Sequence, residues 1–167
     1  MAGRVCVVIG VGPGLGMSCV RQWAKEGYKV FLVHFDLIFS VFFAKVAMVS
    51  RTASKLEAAA AENPGTLAVA ADVTNPASLT AALTTVEQKL GEIHTVVYNA
   101  GLGVWATYEN VTHEKLEMSM KTNVHGLLTV AQHVGPKMTA RGEGVIAVTG
   151  ATAALRGKPI TVKITSF

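Results

Sequence analysis

Short runs of apolar residues alternate along the chain with longer stretches that have the polar and apolar spacing of helices. The runs are rich in Val and Ile, which is typical of strands buried in a parallel sheet. Four of them are RVCVVIG from Arg4, TLAVAAD from Thr66, IHTVVYNAG from Ile93 and GVIAVTGA from Gly144, and a fifth lies within residues 29–50. The helical stretches lie near residues 14–27, 53–62, 76–90 and 113–140. This alternation predicts βαβ units and therefore an α/β fold around a parallel sheet.

The third of these helices has the clearest beginning. Asn75 is a residue type that commonly caps a helix N-terminus, because its side chain accepts a hydrogen bond from a free backbone amide. Pro76 follows at the first helical position, where its missing N–H costs nothing. We therefore expect this helix to begin at residue 76.

The composition is that of one domain without a nucleic-acid or membrane specialisation. A chain of 167 residues is one domain by length, and its net charge of +4 is spread without a basic block, so nucleic-acid binding has little support. The apolar stretch 37–44 is far shorter than the roughly 20 residues of a membrane-spanning helix.

Cys6 and Cys19 have no metal spacing and no CxxC pair, which favours reduced thiols and a cytoplasmic location. The histidines lack ligand spacing, and no metal is expected.

A glycine-rich loop, GVGPGLG, follows the first strand. It contains six candidate phosphate contacts: Gly10, Gly12, Pro13, Gly14, Leu15 and Gly16. The common GxGxxG spacing is not met, because residues 15 and 17 are Leu and Met. The spacing that is present, Gly10-xxx-Gly14-x-Gly16, lets a tight turn lead into a helix whose free amides and positive dipole end face a phosphate. The loop therefore predicts binding of a dinucleotide pyrophosphate.

Four motifs together resemble the short-chain dehydrogenase/reductase family. They are the glycine spacing, AADV at residues 70–73, YNAG at residues 98–101 and KTNVHG around Asn123. They follow the family's order and nearly its spacing, apart from the stretch near residues 30–45. The resemblance implies a Rossmann-like, doubly wound parallel sheet with strand order 3-2-1-4-5. Residues 1–167 would then be a single NAD(P)-binding domain that is truncated before the family's last strands.

The resemblance also implies contacts to the cofactor. Asp72, followed by Val73, would accept a hydrogen bond from the adenine amino group; as a loop carboxylate, Asp72 could instead help to cap the next helix. The floor of the cofactor groove would be formed by Asn99, Ala100 and Gly101, with Asn99 joining the fourth strand to its neighbour.

Asn123 lies within an apolar helix. The resemblance implies that it kinks this helix and holds the water of a proton relay, and a hydrogen-bonded core asparagine is the structural alternative. The YNAG motif departs from the family, which usually has asparagine where this chain has Tyr98.

The catalytic part of the family's pattern is incomplete. The serine that polarises the substrate oxygen corresponds to Ala151 or Thr152, depending on the register, and Thr152 could supply the hydroxyl. The family's tyrosine is expected near residues 164–165, with a lysine four residues later, but Ile and Thr stand there and the chain ends at Phe167. We therefore expect residues 1–167 to be C-terminally incomplete and inactive.

The second strand has two alternative endings, and they favour different cofactors. Residues 28–52 read YKVFLVHFDLIFSVFFAKVAMVSRT, so the strand ends either at Asp36 or just before Arg51. A carboxylate at this place binds the ribose 2′-hydroxyl of NAD, whereas an arginine can hold the 2′-phosphate of NADP. Removal of residues 30–45 leaves EGYKVAMVSRTASKLE, an uninterrupted strand, turn and helix. Arg51 and NADP are therefore favoured over Asp36 and NAD.

The function expected from these motifs is that of an NADP-dependent oxidoreductase acting on a carbonyl or alcohol group of a small molecule. The alternative is a dinucleotide-binding or interaction module without catalysis, because the tyrosine and lysine of the family are missing. The resemblance leaves a homo-oligomer open and does not identify the substrate.

We predict that residues 30–45 and the tail VKITSF are translated introns and are absent from mature transcripts. Residues 30–45 begin with valine, whose codons start with GT, and end with lysine, one of whose codons ends with AG; the phenylalanine-rich run fits a pyrimidine tract. The alternative is a genuine hydrophobic insertion near the adenine end of the cofactor. Transcript sequencing distinguishes the two, and reads that carry residues 30–45 in frame would contradict the intron hypothesis.

Overall fold

A computed structural model describes residues 4–25, 46–63 and 65–151. Its strands are β1 (Val5–Ile9), β2 (Val46–Ser50), β3 (Leu67–Ala70), β4 (Ile93–Tyr98) and β5 (Val145–Val148). Its helices are α1 (Leu15–Lys25), α2 (Ala53–Glu62), α3 (Pro76–Leu90), α4 (His113–Met120) and α5 (Gly126–Arg141), with a π-helical turn, Lys121–His125, between the last two. None of the helices in these ranges is long and apolar enough to cross a membrane.

All five strands form one parallel sheet in the order β3-β2-β1-β4-β5, so the predicted fold class and strand order are confirmed. Of the two candidate endings of the second strand, the one that leads to Arg51 forms β2 and pairs with both β1 and β3. Asp36 and the disputed residues 30–45 lie outside the described residues, as do Thr152 and the tail 162–167.

The two faces of the sheet pack into separate apolar clusters. In β1 every residue is buried; Val5, Val7 and Ile9 belong to the cluster covered by α3 and α5, and Cys6 and Val8 belong to the cluster covered by α1 and α2. Successive side chains of a strand point to opposite faces, so a strand with helices on both sides is apolar throughout. This arrangement is the doubly wound architecture that the sequence predicts.

The N-terminus of α3 is built as its sequence predicts. The helix begins at Pro76, and the side chain of Asn75 accepts a hydrogen bond of 3.1 Å from the amide of Ser78. The cap satisfies one of the backbone donors that the first helical turn leaves without a partner. The prediction of this helix start is therefore confirmed.

The region 113–140, for which the sequence predicts one helix, is divided in the structure. The α-helical hydrogen bonding changes to the π-helical turn at Lys121–His125, and the amide of Gly126 bonds to the carbonyl of Lys121. A π-helical turn holds one more residue per hydrogen-bonded ring than an α-helix, and such turns are frequent at functional sites. The interruption contains Asn123, the residue at which the resemblance implies a kink in this helix.

Candidate functional site

A cavity of about 340 Å³ opens at the carboxyl ends of β1, β2 and β4, against the residues that follow β3. Its position is where the strand order reverses, since the chain proceeds from β1 toward β3 on one side and toward β5 on the other. Ligands of open parallel sheets bind at such a point. The volume lies within the range of small-molecule sites, about 300–1,000 Å³.

Seven of the residues predicted to contact a cofactor line this cavity: Gly10, Gly12, Arg51, Val73, Asn99, Ala100 and Gly101. Four other predicted residues continue from its edge into the first turn of α1: Pro13, Gly14, Leu15 and Gly16. Asp72 stands between two lining residues, and Asn123 follows the lining residue Thr122. Thr152 lies outside the described residues.

The loop after β1 and the loop after β4 are in direct contact at Gly10. Gly10 has a φ of +90°, and a Cβ there would lie 2.3 Å from the Ala100 nitrogen. Asn99 joins the same two loops, because its backbone amide donates to Ile9 O at 2.8 Å and its Nδ2 donates to Gly10 O at 2.8 Å. This is the contact between the fourth strand and its neighbour that the resemblance implies. The close approach excludes any side chain at position 10.

The start of α1 is open in front of the loop. A Cβ added at Gly12 or at Gly14 would meet no atom within 4 Å. The amide of Met17 donates to Gly12 O at 3.2 Å, and the amide of Ser18 donates to Gly14 O at 3.2 Å. The amides of Gly14 and Leu15, which precede them, have no acceptor among the described residues. Unpaired amides at a helix N-terminus together with its dipole favour an anion. The residues present therefore fit a dinucleotide pyrophosphate.

The loop after β3 carries a carboxylate with defined partners. Oδ1 of Asp72 accepts hydrogen bonds from the Thr74 amide at 2.9 Å and from the Thr74 hydroxyl at 2.8 Å. The bond from the Thr74 amide is the largest effect on the pKa of Asp72 and lowers it; burial acts in the opposite direction, and the hydroxyl bond and the nearby charge of Arg51 lower the pKa further, so it lies below its usual value. Asn75 is the N-cap of α3, so Asp72 shapes the turn before the cap. Near neutral pH, Asp72 is therefore an anion beside an exposed arginine.

Asn123 holds the loop that follows the YNAG motif. Its Oδ1 accepts from the Leu102 amide at 2.8 Å, and its Nδ2 donates to Leu102 O at 3.0 Å and to Ser119 Oγ at 3.0 Å. Ser119 Oγ also donates to Leu102 O at 2.9 Å. The side chain of Asn123 thus bonds both backbone groups of a residue that lines the cavity, and its Oδ1 lies 3.9 Å from the Cβ position of Gly101.

Several lining residues were not singled out from the sequence: Val11, Val49, Ser50, Ala71, Thr74, Leu102 and Thr122. Most of them lie at the carboxyl end of a predicted strand or within the next residues, and this position alone could have indicated them. The position of Thr122 in the sequence could not have indicated it, because Thr122 reaches the cavity from the π-helical turn and not from the end of a strand. Within the ranges that the structure describes, no three His, Cys, Asp or Glu side chains are grouped as a metal would require.

The sheet order and the open amides beside its switch point define a dinucleotide-binding domain of the Rossmann type. The sequence model of the family described as "short chain dehydrogenase" matches residues 43–163. The chain therefore belongs to the short-chain dehydrogenase/reductase family, whose members are NAD(P)-binding Rossmann proteins.

Individual relatives agree with this assignment. The chain is 28% identical over 160 residues to Oxidoreductase asL5 of Sarocladium schorii, covering 95% of this chain and 58% of the relative. It is 30% identical over 158 residues to L-xylulose reductase of Bos taurus, covering 94% and 57%. The fold is similar to that of F189W actinorhodin polyketide ketoreductase with NADPH, with a TM-score of 0.81 at 21% identity over 95% of this chain and 57% of that one. The chain thus spans little more than half the length of these proteins.

We predict that Gly10→Ala destabilises the fold and that Gly14→Ala does not. Alanine at position 10 combines a positive φ with a contact to Ala100 that only backbone movement could relieve, which should lower the free energy of unfolding by about 3 kcal/mol. Alanine at position 14 enters open space and should change it by less than about 1 kcal/mol. Urea unfolding of both variants measures the difference, and equal losses would contradict the assignment of the close contact to Gly10.

Proposed function

We propose that residues 1–167 form a single NAD(P)-binding domain that belongs to an NADP-dependent oxidoreductase acting on a carbonyl or alcohol group of a small molecule, and that these residues are inactive by themselves. The observation that carries the proposal is the open N-terminus of α1 beside the cavity at the switch point, within the fold of this family. The similarity to L-xylulose reductase and to the ketoreductase with NADPH supports the proposed class of reaction and of cofactor. A cytoplasmic location, expected from the two free cysteines, is part of the same proposal.

Each part of the site has a proposed task in holding the cofactor. The amides at the start of α1 bind the pyrophosphate, with Gly12 and Gly14 leaving the necessary space. The floor of the groove is formed by Asn99, Ala100 and Gly101. A nicotinamide dinucleotide, when bound, supplies hydride transfer at the substrate carbon.

The adenosine end is assigned to Arg51, Asp72 and Val73. Arg51 is exposed at the cavity, and a guanidinium can bind the 2′-phosphate of NADP through two parallel hydrogen bonds. Oδ1 accepts both hydrogen bonds of the Asp72 carboxylate, and Oδ2 has no partner among the described residues, so Oδ2 is the atom proposed to accept from the adenine amino group.

The catalytic assignments are Asn123 and Thr152. Both amide protons of Asn123 are used by Leu102 O and Ser119 Oγ, so any water of a proton relay has to be held by other atoms of the residue. The structural contribution of its side chain is to hold the Leu102 backbone at the cavity. Thr152 is proposed, from its place after β5, as the hydroxyl that polarises the substrate oxygen.

We also propose that residues 30–45 are not part of the domain. β2 begins at Val46 and pairs with Cys6–Ile9 of β1 and with Leu67–Ala70 of β3. These observations support the intron hypothesis, and the transcripts are its test.

A second candidate function is a module that binds the cofactor without turnover. Residues 1–167 contain three tyrosines, none after Tyr108, so these residues by themselves do not include the tyrosine and lysine pair of the family. Cofactor binding is common to both candidates, and only turnover distinguishes them.

We predict that Arg51→Ala weakens NADPH binding about 10- to 100-fold and leaves NADH binding unchanged, because only NADPH has the 2′-phosphate and hydrogen bonds to charged groups contribute about 1.5–3 kcal/mol. Fluorescence titration of the 167-residue chain measures both affinities. Arg21→Ala is the matched control, since Arg21 is an exposed arginine of α1 that pairs with Glu62 at 3.1 Å, outside the cavity lining. Tighter binding of NADH than of NADPH by the unmodified chain would reverse the cofactor assignment and favour Asp36.

We predict that purified residues 1–167 bind NADPH but reduce no substrate in a broad carbonyl panel. Absence of a positioned proton donor lowers rates by about 10² to 10⁴, and the missing lysine also removes the group that orients the nicotinamide ribose. Size-exclusion chromatography should show an oligomer or aggregate, because Val145 and Val148 of the edge strand β5 are 57% and 41% exposed. Measurable turnover by a monomer would contradict both expectations.

A further inference from the structure

Tyr98, which departs from the family's asparagine, makes a contact that joins β4 to the helix carrying Asn123. Its side chain is 1% exposed, and its hydroxyl donates to the backbone carbonyl of Thr122 at 2.5 Å. Burial raises the pKa of Tyr98 to about 12, so the hydroxyl keeps its proton near neutral pH. The acceptor lies within the π-helical turn, directly before Asn123.

Gly126 provides the space that the Tyr98 hydroxyl occupies. A Cβ at position 126 would lie 2.2 Å from the Tyr98 oxygen and 2.9 Å from Val73 O, both closer than a side chain tolerates. The large residue on the strand and the missing side chain on the helix are therefore complementary. Their contact fixes how closely the π-helical turn approaches β4.

The Tyr98 bond lies beside the bonds of Asn123. Tyr98 and Leu102 lie on one side, at the end of β4 and in the loop after it, and Thr122 and Asn123 are consecutive residues of the turn on the other side. The first bond fixes the backbone at residue 122, and Asn123 extends from that backbone to both polar groups of Leu102. A shift of the turn away from β4 would lengthen both sets of bonds.

We propose that Tyr98 is a positioning residue of the cofactor groove: its hydroxyl holds the π-helical turn at the Thr122 carbonyl, so that Asn123 holds the Leu102 backbone at the cavity. The proposal that Asn123 holds the Leu102 backbone depends only on these contacts. Only its consequence, a higher affinity for the dinucleotide, rests on the proposed function.

Tyr98→Phe separates this task from packing, because phenylalanine keeps the ring and removes only the hydroxyl. Tyr108→Phe is the matched control, as Tyr108 is 78% exposed and its hydroxyl has no hydrogen bond to the turn among the described residues. Hydrogen exchange followed by NMR in the cofactor-free chain reports on the Leu102 amide, and the amide of Leu83, buried in α3, reports on global stability.

In Tyr98→Phe we expect the Leu102 amide to exchange about tenfold faster relative to Leu83, the factor that corresponds to loss of one net hydrogen bond. Asn123→Ala should have a similar effect, and the double variant should exceed neither single variant, because the two residues act through one contact. NADPH Kd should rise about three- to tenfold in each of the three variants, and Tyr108→Phe should change neither quantity.

Two results would overturn the proposal: unchanged exchange at Leu102 in Tyr98→Phe, or equal acceleration at Leu102 and Leu83, which would mean that the hydroxyl only stabilises the fold. If the unmodified chain binds no NADPH, the proposed function fails, and the exchange data still decide the role of Tyr98. If Tyr98→Phe does not fold, the ¹³C shift of Tyr98 Cζ in Asn123→Ala decides: a changed shift supports the coupling, and an unchanged shift overturns it.

Discussion

The close approach of two backbones at Gly10 is the constraint on which the candidate site depends. β1 and β4 end at the same height, and the loops that follow them touch at Gly10 and Ala100 with no room for a side chain. Asn99 keeps them together through the carbonyls of Ile9 and Gly10. Because the first loop is held against the second, Gly10 and Gly12 line the cavity and α1 begins three residues after Gly12. Without this contact, the glycine-rich loop would not be held against the loop after β4.

The parts of the fold that could be predicted are those with local signals. Buried parallel strands appear as continuous apolar runs, so the bounds of β1 and β3 were predicted within two residues and those of β4 and β5 within three. Asn75 and Pro76 mark a helix start through chemistry that acts over three residues. The strand order and the roles of the motif residues came from family resemblance, because no spacing within one chain reveals which strands are neighbours.

The parts that could not be predicted depend on contacts between distant residues. The π-helical turn coincides with a hydrogen bond between residues 24 positions apart, Tyr98 and Thr122, and nothing in the segment KTNVH itself predicts it. The partner of Asn123 is likewise 21 residues away, at Leu102. Thr74 was missed for another reason, because its hydrogen bonds with Asp72 are local but compete with several other turn geometries that the same residues allow.

The number of residues in the π-helical turn also determines which side of α5 faces the sheet. Each residue of an α-helix turns the next by about 100°, so one residue more or less between α4 and α5 rotates everything that follows. The buried residues of α5, Val130, Val134 and Met138, recur every four positions along one stripe that faces the sheet. A deletion of one residue within Lys121–His125 would rotate these buried residues away from the sheet, although the residues themselves would be unchanged. The segment should therefore accept exchanged side chains more readily in evolution than insertions or deletions.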